Sequence, residues 1–301
     1  MRNVMLEIRN LEKSFGDKAV LKGVSLTVPE KSVFGFIGKN GAGKTTTMKA
    51  ILGLLKADAG EIYVGGERVT FGETPTNRMV GYLPDVPNFY PFMTAREYLL
   101  LCGESLSMTK TDSAARAEEL LSLVGLSDEK GYIKGFSRGM KQRLGIAQAL
   151  FCRPRLLICD EPTSALDPIG RKEILDILQS VKDETTVLFS THILSDVERI
   201  CTDVALLHDG CIALQGTIDE LKRSRSFDSF SVELADADAA ARIRARFPDA
   251  RGGDGNVLVL AGDDRRFCEV MAFLAEQGIA PRRIERLEPT VESLFVEVIS
   301  G

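Results

Sequence analysis

The sequence contains the run Gly38-Lys39-Asn40-Gly41-Ala42-Gly43-Lys44-Thr45. Its spacing is that of a phosphate-binding loop: a glycine, four variable residues and then Gly-Lys-Thr. A short apolar run at 33–37 precedes the loop and predicts a buried strand, and apolar residues at helical spacing follow it from Thr46 to Leu55. Backbone N–H groups and a helix N-terminus would therefore converge on one concavity, which suits a polyphosphate.

The residue types of this loop predict individual roles. Lys44 is expected to reach the β- and γ-phosphates of ATP, and the Thr45 hydroxyl is expected to bind Mg²⁺. The alternative is an ordinary glycine-rich turn, which the Lys-Thr pair and the two flanks disfavour. The predicted nucleotide-binding residues of the loop and its continuation are Gly38, Lys39, Asn40, Gly41, Ala42, Gly43, Lys44, Thr45 and Thr46.

Two adjacent carboxylates follow a second apolar run, at 156–159. Burying unpaired carboxylates is costly, so Asp160 and Glu161 at the end of a buried strand point to a metal and a reacting water. Asp160 is expected to bind Mg²⁺ and Glu161 to polarise the attacking water. The alternative is a pair of exposed loop acids.

Three further positions are candidates for the same site. His192 follows a predicted strand at 185–191 and would reach the γ-phosphate at the same sheet edge. Ser137 and Gly139 lie where a helix begins and suit an anion, although a helix cap alone would also explain the serine. Phe15 precedes a Gly-Asp turn and offers a flat ring to a purine, or simply packs in the core.

Composition excludes several classes of protein. The chain has 301 residues, and its 43 acidic residues outnumber its 38 basic ones, which argues against nucleic acid as a partner. The six cysteines form no Cys-x-x-Cys pair, which argues against zinc and for a reducing compartment. No apolar run approaches the roughly 20 residues that span a bilayer, so a membrane span would come from another chain.

These motifs, in this order, resemble the nucleotide-binding subunit of ATP-binding-cassette (ABC) transporters over 5–221. The resemblance implies an α/β P-loop fold with a parallel-sheet core, an antiparallel β subdomain and a helical subdomain at about 85–150. It also implies that Phe15 stacks on adenine, that Ser137 and Gly139 belong to the family signature, and that His192 is the switch histidine. Arg138 and Met140 depart from the signature, and Asp85 stands where many members carry a metal-ligating glutamine.

The resemblance implies an ATPase that couples ATP binding and hydrolysis to export. Its expected partners are a second cassette, identical or different, and a separate transmembrane permease, at the cytoplasmic face of the membrane. ATP and Mg²⁺ are the expected cofactors. The alternative is a soluble ABC ATPase that acts on ribosomes or DNA, which the single phosphate loop and the acidic charge balance disfavour. A phosphoryl-transfer kinase would leave Ser137 and His192 without a role.

The composition changes after Leu221, and 222–301 is predicted to be a small α/β appendage. Strands are expected at 229–234, 256–260 and 282–287, and helices at 236–247 and 264–278. A final helix is expected to carry Val291, Leu294, Phe295 and Val298 on one face. The appendage either helps two cassettes to pair or regulates them, or it is a stabilising extension.

Overall fold

A computed structural model describes residues 3–224, 229–252, 256–287, 291–292 and 295. The chain divides into two compact units: Met1–Ile218 together with Phe295–Gly301, and Asp219–Leu294. The strands of the first unit are β1 (Val4–Phe15), β2 (Lys18–Pro29), β3 (Val33–Ile37), β4 (Ala59–Val64), β5 (Glu67–Arg68), β6 (Val80–Leu83), β7 (Leu156–Asp160), β8 (Thr186–Thr191), β9 (Asp203–His208) and β10 (Cys211–Thr217). Its helices are α1 (Lys44–Ile51), α2 (Ala95–Ser105), α3 (Lys110–Leu123), α4 (Arg138–Leu150), α5 (Pro168–Ser180) and α6 (Leu194–Ile200), with 3₁₀ turns at Pro75–Met79 and Ile133–Gly135.

A six-stranded sheet in the order β10-β9-β3-β8-β7-β6 forms the centre of this unit. Every residue of β3, β7 and β8 is buried. Strands covered on both faces read as continuous apolar runs, and for this reason the sequence revealed them. The pairs β9–β3, β3–β8, β8–β7 and β7–β6 are parallel, so the C-terminal ends of these strands lie along one edge.

A second sheet, in the order β2-β1-β4-β5, is antiparallel. It contains a hairpin in which Gly65-Gly66 joins β4 to β5. The long strands β1 and β2 carry polar residues on their exposed faces, which interrupt the apolar signal of the sequence.

Helices α2, α3 and α4 form the predicted helical region. Thr94 caps α2 through a full capping box with Glu97. Helix α3 begins at Lys110, because the Thr109 side chain accepts a hydrogen bond from the backbone N–H of Asp112 and caps the helix there.

The second unit begins within helix α7 (Ile218–Ser224). It continues with β11 (Ser229–Glu233), α8 (Ala237–Arg246), β12 (Arg251–Gly252), β13 (Val257–Ala261), α9 (Asp264–Glu276) and β14 (Arg283–Leu287). Its antiparallel sheet has the order β12-β13-β11-β14, which is the split βαβ arrangement of ferredoxin-like folds.

Alternate residues of β11 and β13 pack against α8 and α9 in a core of their own. The sequence predicted β11, α8, β13, α9 and β14 but not α7 or β12, and the two residues of β12 are too few for a periodic signal. Most of the predicted final helix, including Leu294 and Val298, lies outside the described residues.

Within the described ranges, none of the helices combines the length and the apolar composition that a bilayer crossing requires.

Candidate functional site

The phosphate loop joins β3 to α1, as its flanks predicted. Gly43 has φ = 112°, in the left-handed region, and a Cβ built on it would lie 2.6 Å from Leu21 Cδ2. A Cβ on Gly38 would lie 2.7 Å from the carbonyl oxygen of Leu207. Both positions therefore require glycine for different reasons: one for backbone conformation and close packing, the other for close packing alone.

Lys44 lies at the centre of the loop and is only 5% exposed. Its Nζ donates a hydrogen bond to the carbonyl oxygen of Gly38 at 2.6 Å and lies 3.0 Å from Glu161 Oε1. A buried ammonium group is stable only when it is paired and hydrogen-bonded, and both conditions are met here. The lysine of the loop and the acid after β7 are thus in direct contact.

Asp160 ends β7 and is 3% exposed. Thr45 Oγ1 donates to its Oδ2 at 2.7 Å, and Ser190 Oγ donates to its Oδ1 at 2.7 Å. The backbone N–H of Glu161 in turn donates to Ser190 Oγ at 3.0 Å. The Ser190 hydroxyl therefore holds both acids: it contacts the side chain of Asp160 and the main-chain N–H of Glu161.

Glu161 has φ = 48°, an uncommon backbone conformation for a side chain of this size. Its Oε2 lies 2.8 Å from His192 Nδ1. One carboxylate therefore contacts both Lys44 and His192 through its two oxygens. Strain of this kind is retained where surrounding contacts hold it, often at functional sites.

A further buried bridge joins the segments that carry Glu161 and His192. Thr163 Oγ1 donates to Asp196 Oδ2 at 2.7 Å, and Arg171 donates to the other oxygen of the same carboxylate. Asp196 is 1% exposed, so its charge depends on these partners. The bridge fixes the loop after β7 against helix α6.

A cavity of about 420 Å³ lies at this edge of the sheet. It contains most of the sequence-predicted catalytic and phosphate-binding positions. Its walls consist of Val20, Asn40, Gly41, Gly43, Lys44, Thr45, Thr46, Asp85, Asp160, Glu161, Ser164 and His192.

Six predicted nucleotide-binding residues do not line this cavity: Gly38, Lys39 and Ala42 of the loop, and Phe15, Ser137 and Gly139 outside it. Phe15 ends β1 and is 51% exposed, with the ammonium group of Lys13 5.5 Å from its ring centroid. Ser137 caps α4 by accepting a hydrogen bond from the backbone N–H of Met140 at 3.2 Å, and Gly139 lies in the first turn of that helix. The cap interpretation of Ser137 is therefore confirmed, and a direct contact with the chain's own phosphate pocket is not seen.

The sequence reasoning missed Ser190, Val20 and Ser164 and left Asp85 unassigned. The register places Ser190 directly opposite Asp160 across β7 and β8. A polar residue two positions before His192 was therefore a usable signal for a contact with the acids. Val20 and Ser164 gave no such signal. Asp85 follows β6, whose parallel neighbour is β7, and this adjacency brings it to the cavity wall.

Two groups beside the acids are held neutral by burial. Burial, together with the nearby charge of Asp160, raises the pKa of Tyr82 to about 12. Burial also raises the pKa of the Cys159 thiol well above its usual range, with Asp160 as a second cause. Cys159 is therefore a small apolar residue of the core.

The phosphate loop, the buried acid at the end of a neighbouring parallel strand and the strand-end glutamate define a P-loop nucleotide triphosphatase. The family model described as ABC transporter matches residues 21–164. The chain is also 34% identical to the bacitracin transport ATP-binding protein BcrA of Bacillus licheniformis, over 99% of this chain and 98% of the relative. The chain belongs to the ABC transporter family.

Other comparisons agree with this assignment. The chain is 42% identical to the ABC transporter ATP-binding protein YxlF of Bacillus subtilis, over 76% of this chain and 77% of the relative. It is 36% identical to the linearmycin resistance ATP-binding protein LnrL of Bacillus subtilis, over 72% and 70%. A solved ATP-binding subunit of an ABC transporter superposes with a TM-score of 0.65 at 33% identity, over 73% of this chain and 92% of that structure.

The prediction of an ABC-type α/β cassette is therefore confirmed. The chain is the ATP-binding subunit of an ABC transporter and hydrolyses ATP. Subunits of this family pair with one another and work with a membrane permease, and the alternative of a soluble ATPase acting on ribosomes or DNA is not favoured.

The position of Ser190 predicts the effect of one substitution. Ser190→Ala removes the hydrogen bond to Asp160 and the acceptor for the Glu161 N–H, so we expect the ATPase kcat to fall about tenfold or more, because both acids lose a group that orients them. Ser32→Ala is the matched control, because Ser32 is also buried and donates a 2.7 Å hydrogen bond, to the Pro29 carbonyl, away from the cavity. Equal kcat values in the two variants would contradict this role.

Proposed function

We propose that the cavity at the end of β3, β7 and β8 is the hydrolytic site and that this chain uses it to drive export. The observation that carries the proposal is the convergence of Lys44 and His192 on the carboxylate of Glu161, at 3.0 Å and 2.8 Å from its two oxygens. These groups come from three separate parts of the chain. A stable fold alone does not require a buried lysine, an acid with positive φ and a histidine to meet at one cavity.

In this proposal the polyphosphate lies in the loop and the backbone N–H groups and Lys44 bind its oxygens. Lys44 would exchange its contact with Glu161 for the phosphates, which frees the glutamate to accept a proton from the attacking water. His192 would hold that water or the γ-phosphate from the other side of the carboxylate. Phe15, at the exposed end of β1, would stack on the adenine.

Thr45 and Asp160 would hold Mg²⁺. Their oxygens are 2.7 Å apart and both residues line the cavity, and Mg²⁺ is commonly bound by one or two protein oxygen ligands together with phosphate oxygens and waters. When bound, the ion would neutralise charge on the β- and γ-phosphates. Asp85 also lines the cavity, but its carboxylate is engaged with Arg138, so we do not assign it to the metal.

Ser137 and Gly139 are proposed to act on the nucleotide of a second cassette. They lie at the exposed N-terminus of α4 and do not line this chain's own cavity. A helix N-terminus presented by the partner would complete the charge stabilisation around the γ-phosphate. The triphosphate would then hold two cassettes together, and hydrolysis would release them.

The permease is proposed to dock on the groove beside α2, at the cytoplasmic face of the membrane. This groove of about 390 Å³ is lined by Tyr90, Tyr98, Leu101, Cys102, Ser105, Leu106, Gln148, Phe151 and Cys152. Tyr90 and Phe92 are 52% and 67% exposed at its margin, and aromatic residues are enriched in interface cores.

Relatives named for bacitracin transport and linearmycin resistance support an antibiotic-like cargo. The second unit remains a candidate for pairing, regulation or simple stabilisation.

Replacing the glutamate by its amide tests the hydrolytic assignment. Glu161→Gln keeps the size of the side chain but removes the base, so we expect ATP to bind while kcat falls by about 10²- to 10⁴-fold. Binding and turnover would be measured on the same preparation. Turnover at the wild-type rate would exclude Glu161 as the base.

A substitution at Gly139 tests the action across the dimer. A Cβ at Gly139 meets nothing closer than 3.9 Å, so Gly139→Arg should fold, keep ATP binding in the monomer and block ATP-driven dimerisation of the hydrolysis-deficient Glu161→Gln chain. Gly135→Arg is the control, since a Cβ there also meets open space. Light scattering with and without ATP would distinguish the two, and an ATP-dependent Gly139→Arg dimer would refute the assignment.

Charges placed in the aromatic margin test the permease surface. Phe92→Asp should release the chain from membranes, because a carboxylate in an apolar interface is costly to desolvate. Phe71→Asp should not, although Phe71 is similarly exposed at 63%. The measurement is the amount of tagged chain that co-purifies with an integral membrane protein, which is then identified. Equal retention of both variants would rule out this surface.

A further inference from the structure

The wall of the nucleotide cavity carries an excess of negative charge. Among the described residues that line it, Lys44 is the only lysine or arginine, and it faces the three carboxylates Asp85, Asp160 and Glu161. Lys44 already contacts Glu161, and Asp160 accepts two hydroxyl hydrogen bonds. Asp85 has no such partner from within the cavity. A triphosphate entering this space would meet its charge directly.

The first two turns of α4 hold Asp85 from outside the cavity. Arg138 Nη2 donates to Asp85 Oδ1 at 3.2 Å, and Gln142 Nε2 donates to the carbonyl oxygen of Asp85 at 2.7 Å. Gln142 is fully buried, so its hydrogen bond fixes the backbone of residue 85 beside the cavity. Residues 138 and 142 are one helical turn apart and therefore share a face of α4.

We propose that Arg138 is a charge-compensating residue of the nucleotide cavity: it neutralises Asp85, which would otherwise repel the phosphates. Its guanidinium does not line the cavity and acts through the carboxylate that does. Arg138 is thus a positioning residue with an electrostatic effect on nucleotide affinity. This inference rests on the proposed binding of the triphosphate in this cavity.

The same contact links two parts of the cassette. Arg138 follows Ser137, whose side chain caps α4, and Asp85 lies on the wall of the cavity. A change in the charge of the cavity, from free to triphosphate-bound, alters the field at Asp85 and therefore the strength of its pair with Arg138. The nucleotide in the chain's own cavity would therefore affect the N-terminus of α4. That N-terminus is the part proposed to contact the partner's nucleotide.

A double-variant cycle tests the proposal on the full chain, kept dilute enough to be monomeric by light scattering. The probe is an ATP analogue with a non-hydrolysable β–γ bond, titrated calorimetrically in Mg²⁺. Arg138→Gln should weaken binding about threefold to tenfold, because the two side chains are half-exposed and their charges are partly screened. Asp85→Asn with Arg138→Gln should restore affinity to within about twofold of Asp85→Asn alone, because no charge is then left to compensate.

The matched control is another arginine–aspartate pair of equal exposure. Arg199 Nη2 lies 2.9 Å from Asp176 Oδ1, with side chains 40% and 51% exposed against 43% and 47% for Arg138 and Asp85. Neither control residue lines the cavity, so Arg199→Gln should leave affinity unchanged. The loss in Arg138→Gln should also shrink as salt rises, since added ions screen exposed charges.

The outcomes distinguish the role of Arg138 from the proposal that the cavity binds the triphosphate. If wild-type chain binds the analogue and Lys44→Ala does not, the cavity is the nucleotide site. An unchanged affinity in Arg138→Gln, or a loss that persists when Asp85 is neutralised, then overturns the role of Arg138 alone. If Lys44→Ala binds as well as wild type, the site itself is wrong and the inference fails with it.

Discussion

The parallel register of β3, β8 and β7 is the constraint on which the rest of the molecule depends. Parallel strands end at the same edge of a sheet, so the loop after β3, the acids after β7 and the histidine after β8 must meet. Every residue of these strands is buried, and most of them are apolar. The order of the strands therefore converts three distant motifs into one site.

Hydrogen bonds at this edge compensate for the burial of its charges. Asp160 is held by two hydroxyl groups and Lys44 by a carbonyl and a carboxylate. The second buried carboxylate, Asp196, joins the loop after β7 to α6. Such groups would be destabilising alone, but as a satisfied set they fix the geometry of the site. The pair of Asp85 and Arg138 differs from them, because both of its side chains are about half-exposed.

The fold of the second unit does not by itself indicate a function. Its core is built from alternate residues of β11 and β13 against α8 and α9. This split βαβ arrangement is common to many unrelated functions, so its fold alone assigns it none. In the first unit, by contrast, the fold and the residues of the site both support the same function.

The local chemistry of this protein was determined by its sequence. The phosphate loop, the two acids after β7 and the cap at Ser137 each depend on spacing within a few residues, which a linear sequence states directly. Buried strands were equally clear because both of their faces are apolar.

Tertiary structure alone decided which side chains meet. Ser190 beneath both acids, Arg138 against Asp85 and Thr163 on Asp196 are contacts between residues 29 to 53 positions apart. Strand order and helix packing create such contacts, and no local pattern records them.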